Sequence, residues 1–389
     1  MSITNSPMSR NIIIGLAAFV FLLQFLCCTS VREERHISVK SLDIPTGCED
    51  DKGIFDTLFS LSDYVILEAD DASLIRQINK IVIYKSCIYV LDKSEKHILS
   101  FTRDGRFVKK YRHYGQGRGE YIYLSDFTIH DGVLYLLDRL GGCILQYTLD
   151  DRFLSKIPVG RSEGICVLDS ERYALNNGLG VADKKSSKTF FCYAVYDGED
   201  LVYQSVPYNR HLCGYSYTLG DGANYFYAYD DTLFTYFPYN DTIYTIGKEG
   251  LLLPYLSVGI GATVTPEMSM RITDKLRKER PVNIFSFYKW QNLMLFSYIP
   301  VEGQRRVSVL ADWDHVIFHG QFNTDKNGLP INIVAYDTDE PERKLLSIVE
   351  PAVLHSASRR LGDEMSKLQE IAGQVVEDDN PVLLFYDVN

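Results

Sequence analysis

The chain has 389 residues, 46% of them apolar and 13% aromatic, with 27 Gly and 13 Pro, a composition that excludes disorder, collagen and low complexity. Lysine and arginine number 40 against 51 acidic residues, a net charge of −11, and no basic block is placed to track a phosphate backbone. Nucleic acid is therefore not an expected partner. The 27 Tyr and 20 Phe favour β structure, where aromatic side chains pack well on a pleated surface.

At the N-terminus, Arg10 precedes an unbroken apolar run from Ile12 to Leu23, and Phe25, Leu26, Cys27 and Cys28 follow Gln24. This run is short for a membrane span and has the form of an export signal. It ends in cysteine, then in Thr29, Ser30 and the charged stretch from Arg32 to Arg35, the pattern of a bacterial lipoprotein signal. Cleavage before Cys28 leaves the small Cys27 at the last signal position, whereas cleavage before Cys27 would leave bulky Leu26 there, so Cys28 is the expected lipidated residue. The alternatives are an ordinary secreted protein or an uncleaved anchor. The expected division is a signal over 1–27, an N-terminal tether and lead-in over 28–60, and one folded domain over 61–389.

A repeat dominates that domain. IYVLDKSEKHILSFTRDGRFVKKY, from Ile88, aligns without gaps to LYLLDRLGGCILQYTLDDRFLSKI, from Leu134, at an offset of 46 residues. Identities include Tyr89/Tyr135, Leu91/Leu137, Asp92/Asp138, Thr102/Thr148, Arg106/Arg152 and Phe107/Phe153. Short β-rich runs within each unit are broken by turn residues, such as Asp104-Gly105 between Phe101 and Phe107, which suits a hairpin. One sheet this small cannot bury both faces unless its neighbours stack against it, so the period predicts an all-β, six-bladed β-propeller of four-stranded antiparallel blades.

Degenerate units continue the pattern over Phe190–Val206, Tyr225–Leu256 and Asn283–His319. The sixth is assembled from Ile331–Ile348, an N-terminal strand around Tyr64–Leu67 and the C-terminal strand Val382–Tyr386, so that both chain ends close the ring. Two helical insertions are expected. One begins at Thr265, a plausible N-cap before Pro266, and ends at Arg280 before Pro281. The other covers about 351–376, with Leu354, Ala357, Leu361, Met365, Leu368, Ile371 and Val375 at helical spacing, a stripe expected to pack on the propeller.

The loop Gly115-Gln116-Gly117-Arg118-Gly119-Glu120-Tyr121 joins the first two units, and its glycines suggest special backbone conformations. It lacks the Lys-Ser or Lys-Thr and the strand-then-helix context of a phosphate loop. As an inter-blade turn it would have Glu120 accepting backbone hydrogen bonds; as a ligand site it would offer Arg118, Glu120 and the ring of Tyr121 at the propeller mouth. Asp92 and Asp138 recur at equivalent positions, which suits turn capping better than catalysis. Tyr225, Tyr227 and Tyr229 are expected on one strand face, packing between blades or forming a sugar-stacking wall. Cys48, Cys87, Cys143, Cys166, Cys192 and Cys213 show no metal-type spacing. Cys87, Cys143, Cys166 and Cys192 fall in apolar runs and read as small buried fillers. His315 and His319 are spaced to share a face but have no evident third ligand.

Taken together, Leu67-Glu68, the segment FTRDGRFVKKYRHYGQGRGEY from Phe101 to Tyr121, DTIY from Asp241 and DDNPVLLFY from Asp378 resemble the six-bladed β-propeller lipoproteins of gut Gram-negative bacteria, which are related to NHL-type propellers. The resemblance spans nearly the whole mature chain. The family's glycine motif reads G-x-G-P-G-E-Y, and Arg118 stands where the proline is usual. The resemblance implies an outer-membrane surface or periplasmic location in the cell envelope, often linked to nutrient acquisition, and no agreed activity.

No GxSxG, HExxH or Ser/His/Asp constellation is recognisable. The expected function is thus a monomeric, lipid-anchored binding or interaction module for a glycan, peptide or envelope protein, with membrane contact only through the anchor. The alternative is a propeller enzyme, a lactonase, glycan lyase or hydrolase, with acids and Ca²⁺ in the central channel.

Overall fold

The computed structural model describes residues 39–45, 47–51, 53–179, 189–209, 224–238, 240–259, 284–298, 306–337, 344–361 and 366–389. The signal, Cys28, Cys213 and the helix expected over 265–280 lie outside the described residues.

Six four-stranded antiparallel blades form a ring. Blade 1 comprises Lys80–Tyr84, Cys87–Asp92, His97–Thr102 and Phe107–Tyr111; blade 2 comprises Leu124–His130, Val133–Asp138, Cys143–Thr148 and Phe153–Pro158. Blade 3 comprises Gly164–Val167, Arg172–Asn176, Thr189–Asp197 and Asp200–Asn209; blade 4 comprises Phe226–Tyr229, Thr232–Thr235, Thr242–Ile246 and Leu252–Gly259. Blade 5 comprises Ile284–Trp290, Leu293–Tyr298, Val307–Ala311 and Val316–Gln321, and blade 6 Ile333–Tyr336, Leu345–Val349, Val382–Val388 and Phe59–Ile66. The first strand named in each blade is the inner one, and these strands touch in succession from blade 6 through blades 1, 2, 3 and 4 to blade 5.

Blade 6 joins both chain ends, with Val382 opposite Ile66 and Val388 opposite Phe59. Its neighbour seals the join: Arg103 of blade 1 stacks 4.3 Å from the Phe385 ring and ion-pairs with the buried Asp337. Stacking buries both faces of each sheet, so the middle strands read as almost continuous apolar runs, as in Ile88, Val90, Leu91, Ile98 and Leu99, all fully buried.

The lead-in contributes structure of its own. Lys40–Asp43 pairs in parallel with Leu256–Gly259 on the outer edge of blade 4, and Glu49–Asp50 pairs in parallel with Gly320–Gln321 on blade 5. These added strands cover edges that would otherwise offer unpaired backbone groups. Four and two residues are too few for alternation to show in the sequence. Gly320 is required where the second strand docks, because a Cβ there would lie 2.2 Å from the Glu49 carbonyl oxygen.

A short helix, α1 (Ile54–Leu58), precedes the first strand of the closing blade. The single helix expected over 351–376 is instead two, α2 (Pro351–Leu361) and α3 (Ser366–Ala372). The expected stripe does pack on the propeller: Leu354, Ala357, Leu368, Ile371 and Val375 are buried in the same cluster as Val349, Val382 and Leu384.

Cys143, Cys166 and Cys192 are buried as expected, whereas Cys87 is only partly so. Two of the tyrosines point as expected and one does not. Tyr227 meets Tyr288 of blade 5 edge to face at 5.3 Å, and the Tyr229 hydroxyl accepts a hydrogen bond from Gln291 N at 2.6 Å. Tyr225, just before the strand, turns the other way and packs over Gly164 of blade 3, where a Cβ would sit 2.6 Å from its ring.

Candidate functional site

The repeat places a charged side chain near the start of the inner strand in both of the first two blades. Lys80 and Asp126 are 46 residues apart, the repeat offset, and carry opposite charge at equivalent positions. Lys80 Nζ donates to Asp126 Oδ1 and to the Phe127 carbonyl, both at 2.8 Å. The second carboxylate oxygen accepts from Ile165 N of blade 3 at 2.9 Å. With side-chain exposures of 6% and 4%, the pair is out of water and ties three inner strands together. The offset alone could have revealed it, because it sets opposite charges at one repeat position of two neighbouring blades.

Three further charges gather at this end of the channel. Lys93 and Arg139 sit at equivalent turns after the second strands of blades 1 and 2, and Glu163 directly precedes the inner strand of blade 3. Arg139 Nη1 lies 2.8 Å from Glu163 Oε1. Burial raises the Glu163 pKa above the ordinary carboxylate value despite Arg139 and Lys93 nearby, and burial lowers that of Lys93 despite Asp126 and Glu163.

Asp92 and Asp138 hold the frame of this mouth. Asp138 accepts Ile122 N at 3.0 Å and Tyr123 N at 2.9 Å; Asp92 accepts Arg76 N at 2.7 Å and caps its own turn through Glu95 N at 3.1 Å. These are the turn-capping roles that their recurrence implied, and they fix the backbone from which Lys93 and Arg139 project.

Below the charges, a cavity of about 310 Å³ runs along the axis, from Lys80 and Asn224 at one end to Tyr84, His130 and Tyr336 at the other. Its walls are mainly apolar, including Ile81, Ile83, Ile129, Ile165 and Phe226. A ligand would therefore meet charge first and apolar surface deeper in.

The loop singled out in the sequence lies elsewhere. Glu120 Oε2 accepts Gly117 N at 2.7 Å, the turn-stabilising role expected of it. Gly119 rests against Phe153 on the outer strand of blade 2 and accepts a hydrogen bond from the Tyr147 hydroxyl. Arg118 is exposed, its guanidinium 5.9 Å from the Phe153 ring. Tyr121 is completely buried and donates to the Lys96 carbonyl at 2.7 Å, so its ring offers no face to a ligand. The expectation of a stacking face there is corrected: a tyrosine beside three glycines looks like a loop-tip aromatic, but here it is the plug between blades 1 and 2. Arg118 and Glu120 remain at the periphery, away from the axial mouth.

His315 and His319 do not come together. His319 is buried, bonded to the Tyr298 hydroxyl and the Gly47 carbonyl, both at 2.8 Å, whereas His315 is exposed in the preceding turn. Among the described residues no cluster of three or more His, Cys, Asp or Glu is placed to hold a metal ion.

The ring of six blades defines the protein as a six-bladed β-propeller. The chain belongs to the family described as "Domain of unknown function (DUF4934)", whose model matches residues 40–387. It is similar in fold to a protein of Bacteroides fragilis described as exported, at 20% identity and a TM-score of 0.69, covering 90% of this chain and 100% of that one. It is also similar to a member of the DUF4221 family from Bacteroides vulgatus, at 6% identity and a TM-score of 0.53, covering 85% of this chain and 98% of that one. No curated protein matches.

Proposed function

We propose that this chain is an exported, lipid-anchored binding module of the cell envelope, for a glycan, peptide or partner protein, and that its axial mouth receives an acidic peptide segment. One observation carries the reading. Three blades each send a different side chain, Lys93, Arg139 and Glu163, to one end of the axis, above a mainly apolar channel. Charges held half out of water are costly, and their convergence above the channel is what a charged ligand would use.

Asp92 and Asp138 are taken up by backbone amides and Asp126 by Lys80, which leaves Lys93 and Arg139 beside Glu163 as the charges that can meet a ligand. A carboxylate could displace Glu163 from the Arg139 fork, while an apolar neighbour entered the channel. The export reading rests on the N-terminal sequence, with Cys28 as the anchored residue.

Thermal shift of the full chain across acidic, neutral and basic peptides tests the binding. Acidic peptides should raise the melting temperature most, and Lys93→Met with Arg139→Gln should remove the gain. Equal shifts from all peptides, or a gain that survives both substitutions, would overturn the reading. The anchor is tested separately: labelling by a fatty-acid analogue should vanish in Cys28→Ala, and its persistence would refute the assignment.

A further inference from the structure

A second cavity, of about 400 Å³, opens between blades 5 and 6 at the end where the inner strands begin. It shares no lining residue with the axial channel. Its size lies within the range of small-molecule sites.

Three serines form a ladder across blade 5: Ser286 is opposite Ser297, and Ser297 opposite Ser308. Aligned across three neighbouring strands, they set a row of neutral hydroxyls into the wall of the cleft. Ser286 and Ser297 are 6% and 5% exposed, with their Oγ atoms 2.7 Å apart.

Tyr288 and Arg306 add two further polar groups to the lining. Among the described residues the Tyr288 hydroxyl, in a residue only 1% exposed and beside Tyr227, makes no hydrogen bond of ordinary geometry. A buried hydroxyl left without a good partner is costly, and an occupant of the cleft that bonds it would relieve that cost. Arg306 lines the same cavity and pairs with no carboxylate among the described residues; its guanidinium sits 5.2 Å from the Phe285 ring.

From these groups we infer that the cleft between blades 5 and 6 binds a sugar acid. A single planar cation suits one carboxylate through a two-pronged hydrogen bond. The neutral hydroxyls of the serine ladder match the hydroxyls of a pyranose, and the aromatic and aliphatic wall matches its C–H face. With one cation and no other charge in the lining, the cleft is poorly suited to a phosphate dianion. The inference is independent of the axial mouth, since it uses different residues on different blades.

Galacturonate is the test ligand and galactose its neutral counterpart, with binding to the full chain followed by NMR shift perturbation. Saturable galacturonate binding in the millimolar range or tighter is expected, about tenfold weaker in Arg306→Gln and about tenfold weaker for galactose. Ser297→Ala, which removes one rung and leaves Arg306 in place, should also weaken binding, and circular dichroism reports whether each variant is folded. Equal affinity for the two sugars, no saturable binding, or galacturonate binding unchanged in folded Arg306→Gln would each overturn the assignment. Loss that followed Arg139→Gln instead would place the sugar at the axial mouth and refute the cleft.

Discussion

Lys80 and Asp126 show how one pair of side chains can specify an arrangement that it does little to stabilise. Removing two charges from water is costly, and their attraction with the surrounding hydrogen bonds roughly offsets that cost. Removing one alone leaves the other buried and uncompensated. Lys80→Met should therefore destabilise the protein by about 3–5 kcal/mol, whereas Lys80→Met with Asp126→Leu should recover most of the loss. Urea denaturation of the four proteins in this cycle measures the coupling, and additive losses would contradict it. The same charges set the pH response of the mouth. Because the folded-state Glu163 pKa is raised, its contribution to stability is fully present below the unfolded pKa and is lost as pH rises through the folded one. Its charge also disappears earlier on acidification than that of an ordinary glutamate. Acidic peptides should thus bind more tightly as pH falls through that raised value, until they themselves protonate. Above neutrality they should weaken early, because the lowered Lys93 pKa releases its proton before an ordinary lysine would. Glu163→Gln should abolish the acid-side change in a titration, and an unchanged profile would count against the assignment. At this scale the sequence was half legible. Asp92 and Asp138 recur, so their capping role could be read directly. Tyr121 could not be placed, since burial of a loop aromatic depends on the neighbouring blade.

Turns and edge strands decide whether the elements meet in the right register. The Asp104-Gly105 hairpin, legible from its dipeptide, also touches the closing blade: Gly105 has φ +89°, and its carbonyl accepts Glu68 N at 2.8 Å. A Cβ at this position would lie 2.0 Å from the Ile66 carbonyl oxygen. Gly105→Ala should cost about 2–3 kcal/mol, combining left-handed strain with a backbone clash. Gly198→Ala, at φ +57° with open space around the new methyl, should cost only about 1 kcal/mol from conformation. Equal costs in chemical denaturation would mean that the contact with the closing strand is not held in solution. The strands of the lead-in were not legible, because each pairs with a partner more than 200 residues away and owes its form to that edge. The division into α2 and α3 was not legible, because the apolar spacing continues from Leu354 through Val375.

Over the whole molecule, the 46-residue period carried the architecture, since it announces a unit that must stack to bury its faces. It also hid the site. Attention to what repeats favours scaffold residues, whereas a binding mouth is built from positions where blades differ, such as Lys80 against Asp126. Convergence of those positions on the axis emerges only when the ring is closed. The most direct measurement is a crystal structure of the full chain with an acidic peptide that stabilises it. Peptide density is expected at the axial mouth, with a carboxylate within hydrogen-bonding distance of Arg139 or Lys93 and an apolar side chain in the channel. Density on the outer strands around Arg118, or anywhere else with the axis unoccupied, would contradict it.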